Sequence, residues 1–192
     1  GLCSTCKVDV LEGDVDLGDP SLFALMDFER EEGKVLACCA TARSDLVIEA
    51  DVDEDDDSEV HPISDLTGTV AELIDLTHDT KCVRIQLPGD GLSFQAGQYV
   101  NLELPGIDGP RAFSLANPPS ETNLLELHVK RVPGGAGTGF IHGQLKIGNP
   151  VPLSGPFGRF FVRKSVDLPM IFVAGGSGLS SPKSMVLDLL ES

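Results

Sequence analysis

The sequence predicts a multi-domain α+β chain: a small cysteine-bearing unit, a six-stranded antiparallel barrel, and the first β–α unit of a further sheet. Three observations predict it. First, charge is split unevenly, because residues 1–66 hold 19 of the 30 acidic residues and only 4 of the 14 basic ones. Second, from Gly68 onward short alternating runs are separated by turn residues, the pattern of an antiparallel sheet. Third, an apolar run at 170–174 leads into a glycine-rich turn and then a helical stripe. The boundaries expected from these changes are a first unit over 1–52, an acidic linker over 53–66, a barrel over 67–164 and the start of a further domain over 165–192.

Composition excludes several function classes. A net charge of −16 over 192 residues argues against nucleic-acid binding, which needs clustered Lys and Arg to displace phosphate counterions. No apolar run approaches the roughly 20 residues that a membrane-spanning helix requires. The start at Gly1-Leu2-Cys3 and the unpartnered strand near the other end read as a fragment cut at both ends, since a lone strand and helix cannot bury their faces. With no secretory signal at residue 1, the expected location is cytoplasmic.

The first unit is organised by cysteine. Five occur, at 3, 6, 38, 39 and 82, and an odd number without a secretory signal argues against a disulfide framework. Cys3-Ser4-Thr5-Cys6 is a C-x2-C, compatible on its own with half a zinc site, a redox dithiol or two iron–sulfur ligands. Neither a second C-x2-C nor a His pair follows to close a zinc site. Cys38 lies about thirty residues on. Cys3, Cys6 and Cys38 fit the last three ligands of the plant-type C-x4-C-x2-C spacing with its distant fourth Cys; the remaining ligand would lie five positions before Cys3. Small residues around Cys3 and Cys6 let backbone amides approach cluster sulfurs. Asp19-Pro20 is an N-cap and N1 pair predicting a short helix to about Met26, and Leu46-Val47-Ile48 is a strand. Cys39 is expected to point away from Cys38 and not to be a ligand; Cys82 sits in an alternating run and reads as core. Self-repulsion makes the acid run from Asp51 to Glu59 an extended, hydrated linker.

The barrel strands are expected at Thr69 to Leu76, Lys81 to Leu87, Tyr99 to Leu104, Arg111 to Leu115, Leu124 to Val132 and Val151 to Ser154, with a helix from Thr138 to Ile147. Two turns are plain at Pro88-Gly89-Asp90-Gly91 and at Pro105 to Pro110. Alternation along Arg111-Ala112-Phe113-Ser114 puts Arg111 and Phe113 on one face. An Arg can neutralise a diphosphate, an aromatic can stack on a flat ring, and a hydroxyl can bond a ring oxygen. Gly134-Gly135-Ala136-Gly137-Thr138 offers bare amides and a capping hydroxyl at a helix start, an anion site.

Arg111-Ala112-Phe113-Ser114 resembles the R-x-[YF]-S flavin motif of the ferredoxin–NAD(P) reductase superfamily. His128-Val129-Lys130-Arg131 and Gly135-x-x-Thr138 stand where that family contacts flavin and diphosphate. The order of cluster unit, flavin barrel and nicotinamide domain is that of the reductase components of bacterial multicomponent oxygenases. Within these, Cys38-Cys39 and the turn from Gly175 to Pro182 are similar to the phenol hydroxylase branch. The resemblance implies a partial β-grasp ferredoxin, a flavin barrel and the first β-α unit of a Rossmann-like NAD domain. It implies FAD, a [2Fe-2S] cluster held by Cys3, Cys6 and Cys38, and NADH as substrate, with an oxygenase or hydroxylase component as partner. The implied flavin contacts are Arg111, Ala112, Phe113, Ser114, His128, Val129, Lys130, Gly135, Gly137 and Thr138. Phe113 replaces the commoner Tyr, so stacking remains while a hydroxyl bond is lost.

At the end of the chain, Met170 to Ala174 is expected as a buried strand. Gly175, Gly176, Ser177 and Gly178 then form a turn, Ser181 and Pro182 serve as N-cap and N1, and Met185, Val186, Leu189 and Leu190 form a stripe. Strand, glycine turn and helix N-terminus make a phosphate cradle, here expected to take the NADH pyrophosphate. No catalytic triad or H-E-x-x-H occurs, and His61, His78, His128 and His142 lack metal-ligand spacing. The expected activity is NADH-dependent electron transfer through FAD and the cluster. Two alternatives stand beside it: a reductase serving a toluene, methane or aromatic-ring oxygenase, and a zinc-binding interaction protein without redox activity.

Overall fold

The computed structural model describes residues 6–50, 57–166 and 168–191. Contacts divide the chain into two compact units, residues 1–54 and 55–192. Cys3 and most of the acid run, residues 51–56, lie outside the described residues.

In the first unit, β1 (Lys7–Glu12) is the central strand, antiparallel to β3 (Lys34–Leu36) on one side and β5 (Val47–Glu49) on the other. A short ribbon joins β2 (Val15–Asp16) to β4 (Thr41–Ala42). The helix expected from Pro20 to Met26 is displaced. Residues 22–25 form a turn in which the Ser21 carbonyl accepts from the Ala24 and Leu25 amides, and α1 occupies Asp27–Glu31. The helix starts late because Glu29 caps it: its carboxylate accepts the Met26 amide at 2.9 Å and the Lys7 ammonium at 2.6 Å. Ala24, Leu25 and Leu36 are the buried core, with Cys6 and Cys39 packed against them.

The second unit is a six-stranded antiparallel sheet ordered β10-β7-β6-β11-β8-β9. Its strands are β6 (Ser64–Asp75), β7 (Thr80–Gln86), β8 (Tyr99–Leu102), β9 (Arg111–Ser114), β10 (Leu124–Lys130) and β11 (Pro150–Phe157). A bridge from Leu115 to Leu127 joins the two end strands and closes the barrel. β6 begins five residues before the expected Thr69, because Ser64, Asp65 and Leu66 pair with Gly155, Ser154 and Leu153. Residues 64–66 of the expected linker are therefore strand, while residues 57–63 carry no regular element and are mostly exposed. Ser165 donates to both Asp57 carboxylate oxygens through its amide, and the Glu59 amide donates to Gln95.

Inward-facing Val83, Ile85, Leu125, Leu127 and Val129 on neighbouring strands fill the barrel with Phe94, Val100, Leu102 and Ile141. Each such side chain contributes roughly 1.5–3 kcal/mol on burial, so this unit holds much the larger core. Helix α2 spans Ala136–Gly143, starting two residues earlier and ending four earlier than expected. Gly135 at its N-cap has no side chain to cap it, and beyond Gly143 the Gln144 and Leu145 amides both turn back to the Phe140 carbonyl.

Met170–Ala174 differs from expectation more sharply. It carries no sheet ladder among the described residues, and Ile171 and Val173 are 89 % and 88 % exposed. A parallel strand needs a hydrogen-bonded neighbour, and no described strand lies beside it. After it comes a 3₁₀ turn, Gly176–Leu179, and α3, Ser180–Glu191.

Helix α3 docks on the barrel at Gly97. Ser181 Oγ donates to the Gly97 carbonyl at 3.3 Å, Met185 is buried, and Gly97 has φ +103°. A methyl group on Gly97 would overlap Phe160 O and Met185 Cε. Gly97→Ala combines this overlap with a left-handed backbone and is expected to cost more than about 2 kcal/mol, read as a fall in the urea midpoint.

Candidate functional site

Strand β10 alternates strictly. Leu125, Leu127 and Val129 are fully buried in the core, while Glu126, His128 and Lys130 project from the other side. On that side, β9 and β10 together with the starts of α2 and α3 enclose a cavity of about 380 Å³. Ala112, Phe113, Ser114, His128, Val129, Lys130, Val132, Thr138, Ser177, Gly178 and Ser180 line it. Nine of the residues expected from sequence are thus brought to one place. The lining offers an aromatic face, four hydroxyls, one ammonium and a glycine backbone. That donor set fits a ligand with a flat, partly apolar ring and an anionic tail.

Five expected residues lie outside the lining: Arg111, Gly135, Gly137, Gly175 and Gly176. Arg111 Nη1 is engaged by the Asp108, Gly109 and Pro110 carbonyls at 3.0–3.2 Å. Its stem crosses the first turn of α2, where a Cβ on Gly137 would meet Arg111 Cγ at 3.0 Å. Gly137 thus lets β9 and the N-terminus of α2 approach closely. Thr138 does not cap the helix. It is the third helical residue, its Oγ1 accepting the Val132 amide at 3.1 Å and lying 3.4 Å from the Gly135 carbonyl. Gly176 has φ +56° and lies beside the Lys130 side chain, 3.7 Å from where its Cβ would be. Lys130 Nζ also lies 3.5 Å from Asp79. Hydrogen bonding from Thr77 holds the Asp79 carboxyl below its ordinary range.

Behind the cavity stands a buried carboxylate that the sequence did not single out. Glu126 Oε1 accepts from His128 Nε2 and from Lys183 Nζ, each at 2.6 Å, and Oε2 accepts from Arg84 Nη2 at 3.2 Å. Its side chain is only 10 % exposed. The His128 hydrogen bond, with the Lys183 bond and charge, pulls its pKa down to about 2 against the cost of burial. A carboxylate ionised at neutral pH only accepts, so Nε2 of His128 carries a proton. Cys82 faces His128 across the β7–β10 ladder, and one ligand-type atom from each of Cys82, Glu126 and His128 lies within 4.8 Å of the others. Burial raises the Cys82 thiol above its usual range. The signal for this cluster was present in the alternation of 126 and 128, yet it required the register of β10 against β7 and the docking of α3.

In the first unit, the Cys38 amide donates to Cys6 Sγ at 3.4 Å, the kind of N–H···S contact that stabilises a cluster thiolate. Cys38 is exposed and Cys6 half-buried. Cys39 does not point away from Cys38, since their sulfurs are 3.8 Å apart. Strand alternation ends at Leu36: the Cys39 and Ala40 amides both return to the Leu36 carbonyl, making a turn. An amide aimed at one sulfur and an exposed second thiol fit two ligands of an iron–sulfur cluster.

Comparison with known proteins finds family matches over parts of both units. Residues 67–162 match the family model of the oxidoreductase FAD-binding domain, and residues 1–43 match that of the 2Fe-2S iron-sulfur cluster binding domain. The chain is 64 % identical over 191 residues to the phenol 2-monooxygenase reductase component DmpP of Pseudomonas sp. strain CF600, covering 100 % of this chain and 54 % of that protein. It is 57 % identical to the phenol hydroxylase P5 protein of Acinetobacter pittii strain PHEA-2, again covering 100 % and 54 %. The chain therefore spans about half the length of these curated relatives. Among solved structures, the Amycolatopsis cytochrome P450 reductase GcoB superposes with a TM-score of 0.84 at 39 % identity, covering 98 % of this chain and 57 % of the other.

The low pKa of Glu126 carries a pH signature. Its folded value, about 2, lies below the ordinary 4.5. Its contribution to stability is therefore complete above about pH 5 and is lost as pH falls toward 2. In thermal melts between these limits, Glu126→Gln is expected to flatten the pH dependence of the second unit and to lower its Tm at pH 7.

Proposed function

Because this chain belongs to the oxidoreductase FAD-binding domain family, carried by residues 67–162, we propose that it is the flavin and iron–sulfur part of an NADH-dependent reductase. Its electrons pass to an oxygenase component that hydroxylates phenol. The single observation that carries this reading is the cavity in which Phe113, Ser114, His128, Lys130 and the Ser177-Gly178 turn meet. When bound, FAD accepts a hydride and releases electrons singly, and a [2Fe-2S] cluster carries one electron at a time.

The chain's own residues bind and orient. Phe113 rests with one side against the barrel core and the other in the cavity, presenting a fixed aromatic face for a ring to pack on. Ser114, next on the strand, presents a hydroxyl to the ring edge. Lys130 meets an anionic diphosphate together with the amides at the start of α2, where Gly135 and Gly137 leave the backbone bare. Arg111 supports that anion site from behind, with its stem on Gly137 and its guanidinium engaged by loop carbonyls. Gly175, Gly176, Ser177 and Gly178, at the entry to α3, offer amides to the pyrophosphate of NADH. Cys6 and Cys38, with Cys3, supply thiolates to the cluster, and the Cys38 amide offsets charge on Cys6.

The choice of phenol rests on the 64 % and 57 % identities to two phenol-oxidising systems. The 37 % identity to a propane 2-monooxygenase reductase component from Rhodococcus jostii keeps a different terminal oxygenase as the second reading. Acidic residues concentrated in residues 1–66 favour a basic docking patch on that partner.

Anaerobic titration of the purified protein with NADH tests the reading. Flavin and iron–sulfur absorption bands are expected to bleach together, and a colourless protein would overturn it. Cys38→Ser is expected to remove the cluster bands while flavin reduction continues. Electron transfer to the oxygenase is expected to slow severalfold between about 0.01 and 0.15 M salt, as the Debye length shrinks from roughly 30 to 8 Å.

A further inference from the structure

We propose that Glu126 is a positioning residue for the flavin site: its carboxylate orients His128 in the cavity lining and locks β10 to Lys183, on the helix preceded by the glycine-rich turn that also lines the cavity. This rests on the flavin reading of the cavity given above. Glu126 itself does not line the cavity. Its two best-bonded partners belong to two different elements of the lining, since His128 lies on β10 and Lys183 lies three residues after Ser180 on α3.

The geometry leaves little freedom. Both contacts to Oε1 are 2.6 Å, and Arg84 holds Oε2 at 3.2 Å, so the carboxylate is fixed from three directions. The backbone of Glu126 is fixed as well. Its amide donates to Asn117 Oδ1 at 2.9 Å and its carbonyl accepts the Ala116 amide at 2.8 Å. Ser184 Oγ, one residue beyond Lys183, donates to the Asn117 carbonyl at 2.7 Å. Side chain and main chain of residue 126 therefore both lead to the first turns of α3.

Stability alone does not account for this arrangement. A buried ion pair is often no more stable than a well-packed apolar replacement, because desolvation offsets the attraction. What the carboxylate adds is direction. An imidazole hydrogen-bonded at Nε2 has its ring plane and tautomer set, leaving the rest of its ring facing the cavity. Removing the carboxylate leaves Lys183 and Arg84 uncompensated behind the cavity, a positive field that favours a more negative, reduced ligand.

The test uses the FAD-loaded protein and its Glu126→Gln, Glu126→Asp and Lys183→Met variants. FAD content, Tm, flavin absorption and circular dichroism, flavin midpoint potential and the limiting rate of reduction by NADH are measured in each. Glu126→Gln is expected to keep its FAD, shift the potential upward, alter the flavin circular dichroism and slow the limiting reduction about tenfold, since small misplacements of reacting groups have effects of this size or larger. Glu126→Asp is expected to restore part of each change. Lys183→Met is expected to alter the circular dichroism and rate in the same sense, and the Glu126→Gln/Lys183→Met double variant to go little further. A lower Tm with potential, dichroism and limiting rate all unchanged would overturn the proposal. Should Glu126→Gln fail to fold, Lys183→Met decides, because its side chain is about one-third exposed; unchanged flavin properties there sink the idea. An unsubstituted protein that neither binds FAD nor is reduced by NADH would instead remove the flavin reading, and the positioning role with it.

Discussion

The alternation of β10 is the constraint on which the second unit turns. Seven residues, Leu124–Lys130, serve two environments at once. Leu125, Leu127 and Val129 pack the barrel, while Glu126, His128 and Lys130 meet α3, the cavity and Asp79. A slip of one residue against β7 would put a carboxylate, an imidazole and an ammonium into the core and leave the leucines outside. Register is therefore fixed far more strongly by hydrophobic burial than by any ladder hydrogen bond. The polar face inherits that precision without contributing to it. Leu127 also bridges to Leu115, so the same strand closes the barrel and sets how far β9, with Phe113 and Ser114, stands from His128.

Much of this was legible in the sequence because the signals were local. Strand alternation locates all six barrel strands, and Ala112, Phe113, Ser114, His128 and Lys130 line one cavity while Arg111 lies outside its lining. What was not legible depended on pairing partners or on turns. β6 is longer than its own pattern because β11 pairs with it from Ser64 on, information held ninety residues away. The α1 segment moved because Glu29 competes for the Met26 amide more effectively than Asp19-Pro20 starts a helix. Cys39 lies beside Cys38 because strand alternation stops at Leu36, where the chain turns. Met170 to Ala174 has the composition of a buried strand, yet composition alone cannot supply the hydrogen-bonding neighbour a parallel strand needs.

The two units answer different electrostatic demands. The first places acids at exposed positions and ties several back with bases, as in Lys34–Asp9 and Arg43–Asp16. Such solvent-screened pairs add little to stability, so their effect lies more in the field they project. Residues 67–192 of the second unit are nearly neutral, with 11 acids against 10 bases, and their important charges are inside. Lys183, Arg84 and His128 surround one carboxylate, and the hydrogen bonds rather than long-range fields decide its protonation.

That contrast gives the Glu126 cluster its meaning for the fold. Helix α3 buries the apolar Pro182 and Met185 and makes several directional contacts with the barrel: Ser181 to Gly97, Ser184 to Asn117, Lys183 to Glu126. Apolar packing tolerates small rotations of a helix, whereas a set of buried hydrogen bonds has one satisfactory arrangement and a high cost for any other. The polar docking therefore specifies the angle at which α3 leaves the barrel. The glycine-rich turn at 175–178 immediately precedes that helix, so fixing the helix fixes where the turn's amides face the cavity. Precision at the cavity thus derives from a buried polar contact one layer behind it, on a strand whose register the hydrophobic core has already determined.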